Sequence, residues 1–127
     1  KMTEQRILIV DDDPDLVLAN RVILESAGYQ VDTAASGNEC LAKMRAQRPA
    51  LVFMDVMMAY PLDGYYTVQQ ISDDPDLCSV PIVMVSSITN SDYAGAFPTD
   101  QYLNVVEFIS KPLEPEVLLA KIRQFAK

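Results

Sequence analysis

The chain has 127 residues, half of them apolar, with eight prolines and four glycines, which suits one domain over residues 1–127 and argues against disorder or low complexity. Eighteen acidic residues against ten basic ones leave a net charge of −8, a surface that phosphate backbones repel, so direct nucleic-acid binding by this segment is not expected. There is no histidine, and Cys40 and Cys78 lack metal-ligand spacing, which removes the usual general base, the commonest zinc ligand and any phosphohistidine relay within the chain.

The first apolar run, Ile7 to Val10, stops at Asp11-Asp12. Short unbroken apolar runs predict strands buried on both faces, as in a parallel sheet covered by helices. Asp12 or Asp13 can then cap a helix with Pro14 in its first turn. Leu16, Ala19, Ile23 and Ala27 repeat at helical spacing, and Gly28 is a natural stop. Val31 to Ala34 predicts a second strand. Ser36-Gly37-Asn38-Glu39 has the form of a capping box opening a second helix, with Leu41 and Met44 inward and Arg48-Pro49 at its end. Leu51 to Met54 predicts a third strand stopping at Asp55. A third helix is expected from about Tyr65 to Ser72, ended by Asp73-Asp74-Pro75. Ile82 to Val85 predicts a fourth strand stopping at Ser86. Residues 89–106 break the pattern, because Pro98 interrupts the expected crossover helix and leaves two short helical pieces. Phe108 and Ile109 mark a short fifth strand ahead of Ser110-Lys111-Pro112. Glu114 and Pro115 start a last helix with Leu118, Ile122 and Phe125 on one stripe. No apolar run approaches the roughly 18 residues of a membrane span, and no signal peptide is expected.

Strands alternating with helices predict an α/β fold with a doubly wound sheet. The carboxyl ends of parallel strands share one edge, and ligands bind where the strand order reverses. Asp11, Asp12 and Asp55 would meet there, with Ser86 and Lys111 near them. Crowded carboxylates repel one another, and a divalent cation removes the difficulty. Oxygen donors without His or Cys favour magnesium, with manganese an admissible substitute. Taken singly, each residue has a plainer reading: Asp11 to Asp13 as a solvated capping loop, Lys111 as a surface lysine, Phe108 as core. Asp13 and Asp15 are assigned to the capping role. The spacing Asp11-x-Asp13-x-Asp15 does not make a calcium loop, since Leu16 replaces the turn glycine and Val22 the bidentate glutamate.

The combination is more specific than its parts. Asp11-Asp12 after the first strand, Asp55 after the third, Ser86 after the fourth and Lys111-Pro112 after the fifth resemble the receiver domain of two-component response regulators, from Arg6 to about Ala126. The resemblance implies a flavodoxin-like sheet of five parallel strands in the order 2-1-3-4-5, helices on both faces, and here an irregular or shortened fourth helix. It implies Asp55 as phosphoacceptor, and Asp11, Asp12, Asp55 and the Met57 backbone carbonyl as magnesium ligands. Ser86 would be the switch hydroxyl, Lys111 the phosphoryl partner and Phe108 the switch aromatic. The donor would be a histidine kinase or a histidine phosphotransfer protein, and the product a changed surface for an unidentified downstream effector. Tyr93, Phe97 and Tyr102 are candidate contacts on that surface, with packing onto the sheet as their plainer reading. A cytoplasmic signalling phosphoacceptor, not an enzyme acting on other substrates, is expected; its oligomeric state is left open. The loop from Met58 to Gly64 is one residue longer than the family's usual form, and Ser87 stands where alanine is common.

Three rival readings fit the sequence less well. A haloacid-dehalogenase-type phosphatase needs Asp-x-Asp-x-Thr after the first strand, and Asp15 occupies the threonine position. A flavodoxin-like electron carrier needs a Ser/Thr/Gly-rich phosphate loop where this chain has acids. A pseudo-receiver, a phosphorylation-independent interaction module, usually lacks an acidic ligand, the acceptor or the lysine, and this chain has all of them.

Overall fold

The computed structural model describes residues 5–55, 63–86, 105–110 and 114–126. Strand β1 (Arg6–Val10) leads into helix α1 (Pro14–Ser26), then β2 (Gln30–Ala34), α2 (Gly37–Ala46), β3 (Leu51–Asp55), α3 (Asp63–Asp73), β4 (Ile82–Ser86), β5 (Val105–Ser110) and α4 (Pro115–Phe125). All five strands pair in parallel, in the order β2-β1-β3-β4-β5.

Alternate strand residues feed two cores. Leu8, Val10, Val52, Met54, Ile82 and Met84 face α2 and α3, where Leu41, Met44, Val68 and Ile71 meet them. Ile7, Ile9, Leu51, Phe53, Val83 and Val85 face α1 and α4, against Leu24, Leu118 and Ile122. The strands read as unbroken apolar runs because both faces are covered. Cys40 lies fully inside the first core, and burial pushes its thiol up to about 12, so it stays protonated at physiological pH. Cys78 is exposed.

The helix ends follow local chemistry. Asp13 is the N-cap of α1, its carboxylate accepting from the amides of Asp15 and Leu16, with Pro14 at the first position. Gly28 has φ 99°, and the Gly28 and Tyr29 amides donate to the carbonyls of Glu25 and Leu24, a Schellman termination that requires the left-handed conformation. Ser36 caps α2 by accepting from the Glu39 amide, while the Glu39 carboxylate reaches past Ser36 to the Ala35 amide at 2.8 Å.

Two expectations are corrected. The inner stripe of α1 is not Leu16, Ala19, Ile23 and Ala27. Asn20 and Leu24 are its buried residues, Leu16, Val17 and Ile23 are half-buried, and Ala19 and Ala27 are exposed. A buried asparagine interrupts the apolar count and shifts the apparent stripe. The fifth strand also starts earlier, at Val105, so residues 105 and 106 belong to it. A register shift opposite Ile82 and Val83 makes Val106 an extra residue there, a bulge that hides the alternation expected of a strand. The two helical pieces expected before it fall on residues 87–104, outside the described residues.

Gly37 opens α2 directly against the buried Thr67 of α3, and a Cβ at Gly37 would collide with the Thr67 hydroxyl oxygen. Threonine is stiff at χ1 and cannot swing away cheaply. Gly37→Ala is therefore expected to destabilise the fold by about 1–3 kcal/mol in urea unfolding. In a Thr67→Ala background most of that added penalty should vanish, because the colliding atom is gone. Equal penalties in both backgrounds would show that the contact is not the cause.

Candidate functional site

The reversal of strand order lies between β1 and β3, which pair with Val10 beside Met54. The next residues, Asp11 and Asp55, therefore emerge side by side at the carboxyl edge. Asp55 is 4% exposed and Asp11 6%, while Asp12 is exposed. Asp11 is held twice: its amide donates to the Ala34 carbonyl at the end of β2, and its Oδ1 accepts from the Asp13 amide at 3.0 Å. One carboxylate oxygen from each of Asp11, Asp12 and Asp55 lies within 4.8 Å of the others.

At such a separation the two buried carboxylates repel by roughly 3–4 kcal/mol at an effective dielectric near 20. A bound cation reverses that sign. The donor set is oxygen alone, with the one buried thiol packed in the hydrophobic core. Hard divalent cations such as magnesium fit this chemistry, and zinc or copper do not.

The remaining predicted residues divide by location. Ser86 ends β4, one residue past the neighbour of Asp55, and sits beside Ser110 of β5; its hydroxyl lies outside what is described. Lys111 follows Ser110 directly but itself lies outside the described residues, as do Met57, Tyr93, Phe97 and Tyr102. Phe108 is on β5 with 37% of its surface exposed, not inside the core. Sequence reasoning missed the Ala34 carbonyl as the anchor of the Asp11 backbone; no residue type signals such a contact. A groove of about 380 Å³ adjoins the acids, lined among others by Val17, Leu18, Ala35 and Glu39.

Fold and site together define a doubly wound α/β domain with a cluster of three acids at its switch point. Comparison with known proteins narrows this class. The profile described as response regulator receiver domain matches residues 7–123. Protein PilH of Pseudomonas aeruginosa is 31% identical over 117 residues, covering 92% of this chain and 93% of that protein. The "Probable transcriptional regulator ycf27" of Cyanophora paradoxa is 33% identical over 127 residues, and this chain spans only 50% of its length. Among solved structures, a CheY-like receiver domain protein from Methanospirillum hungatei superposes with TM-score 0.81 at 29% identity, covering 94% of this chain and 91% of that one. Vibrio cholerae CheY4 gives 0.83 at 28% identity, covering 95% and 98%. The chain belongs to the response regulator receiver domain family, a family of signal-transduction domains. Among the described residues no helix is long and apolar enough to cross a membrane.

Proposed function

We propose that this chain is a working phosphoacceptor, which takes a phosphoryl group onto Asp55 from a phosphohistidine on a histidine kinase or histidine phosphotransfer protein. The observation that carries this reading is the meeting of the Asp11, Asp12 and Asp55 carboxylates within 4.8 Å at the carboxyl edge of the sheet. Asp11, Asp12 and Asp55 would hold magnesium or manganese, together with the Met57 carbonyl. The cation, when bound, supplies neutralising charge for the phosphoryl oxygens.

The chain's own residues do the rest. An Asp55 oxygen attacks phosphorus in line, an acyl phosphate bond forms, and the phosphorus–nitrogen bond breaks with its electron pair going to the donor imidazole. Lys111 pairs with a phosphoryl oxygen, so the protein contributes mainly position and electrostatics. The modification brings about two negative charges and strong acceptor oxygens to the sheet edge. Ser86 turns its hydroxyl toward one of them, and Phe108, exposed in this structure, fills the vacated space. This biases an existing equilibrium in the surface around β5 and α4, which an effector reads; Tyr93, Phe97 and Tyr102 are the candidate effector contacts. In this reading the domain works in the cytoplasm and turns over no substrate beyond its own phosphoryl group.

Incubation with acetyl phosphate and magnesium, followed by intact-mass measurement, tests the proposal. Wild type is expected to gain one phosphoryl group and Asp55→Asn none. An unmodified, folded wild type would favour a pseudo-receiver, and an Asn variant labelled equally well would place the acceptor elsewhere.

A further inference from the structure

Among the described residues β2 is an edge strand, hydrogen-bonded to β1 alone. Its Gln30 amide and Ala34 carbonyl both point to the β1 side, toward Gln5 and Asp11. Residues alternate along a parallel strand, so the backbone groups of Val31 and Thr33 point outward. Such a row is a template for strand addition. Here Lys43 reaches over from α2 and donates to the outward Thr33 carbonyl at 2.6 Å. The same ammonium lies 3.5 Å from Asp32 Oδ1 and 3.7 Å from Glu39 Oε2, and Asp32 Oδ2 lies 3.7 Å from Arg6. A charged group thus sits over the middle of a five-residue edge, held from both sides.

We propose that the Lys43–Asp32 pair closes the β2 edge against pairing with β2 of a second copy of this chain. An incoming strand would have to displace the ammonium from Thr33 and strip water from Asp32, with the Asp32 of the second copy brought near it. The identical edge is the occupant considered because two β2 strands related by a two-fold axis present the same outward groups to each other. A signalling domain gains from this closure, since β2 lies at the far edge of the sheet from β5. Association there would escape control by the switch. The closure itself rests on the edge geometry alone; only its benefit to signalling rests on the proposed function.

The double variant Asp32→Asn/Lys43→Met removes both charges and keeps the net charge at −8, because one acid and one base are lost together. Sedimentation equilibrium is expected to show reversible dimers, with self-association strengthened at least roughly tenfold over wild type. Lys43→Arg, which keeps the donor, should sediment as wild type does. Adding Thr33→Pro to the double variant should restore the wild-type state, since the proline removes an outward amide that β1 does not use. Should the double variant fail to fold by circular dichroism, Asp32→Asn/Lys43→Gln, which keeps both positions polar, is read in the same way. A folded double variant no more associated than wild type overturns the proposal. So does a dimer that persists with proline at position 33.

Discussion

Asp11→Asn is expected to weaken magnesium binding at least about tenfold, because losing even an outer-shell partner of a metal site commonly costs ~10–100-fold. The amide side chain keeps an oxygen that can accept from the Asp13 amide, as the native Oδ1 does at 3.0 Å, so the loop should hold its shape. What disappears is one negative charge from three that stand within 4.8 Å. Two opposite effects should follow. Calorimetric titration should record the loss of cation affinity, whereas without cation the variant should be at least as stable as wild type, since like charges no longer crowd the edge. A purely structural role for Asp11 makes the opposite forecast, with stability falling and cation affinity unchanged.

Phe53→Ala should destabilise the fold severely. Phe53 is 2% exposed on the central strand β3, packed in the core with Leu24, Leu118 and Ile122. Truncating a buried phenylalanine costs roughly 3–5 kcal/mol through lost transfer energy and the cavity left behind. Against a total stability of roughly 5–15 kcal/mol, that leaves the variant marginal in urea titration. Phe53 lies two residues before Asp55, so its side chain leaves β3 on the same face and its loss should loosen the acidic edge as well. Phosphoryl uptake by the folded fraction should therefore slow. A loss below about 1 kcal/mol would contradict the packing described.

Much of this was legible in the residues themselves, for identifiable reasons. β1, β3 and β4 are covered on both faces, so each appears as an apolar run, and the acids that end the first and third runs, Asp11 and Asp55, are the ones the sheet edge brings together. The parallel register then carries Asp11 and Asp55 to one place without any further signal. Features depending on a single polar residue in an apolar face were misread. Asn20 shifted the apparent inner stripe of α1. The extra residue at Val106, followed by Glu107 in an ion pair with Lys121, disguised the start of β5.

Two side-chain contacts between different elements left no trace in the sequence. Gly37 reads as an ordinary capping-box glycine until Thr67 is found against it. Lys43 reads as a helix-surface lysine until its ammonium is found on the Thr33 carbonyl of a neighbouring strand. Pattern reveals what an element buries; it does not reveal which partner a side chain finds.

The most direct measurement concerns where the phosphoryl group resides. After exposure to acetyl phosphate and magnesium, borohydride reduction converts an aspartyl phosphate into homoserine, and peptide mass spectrometry locates it. Homoserine at position 55, and its loss when Asp11 is replaced by Asn, is the outcome expected of this site. Homoserine at another aspartate, or none in a folded protein that binds magnesium, would contradict the assignment of Asp55 as the acceptor.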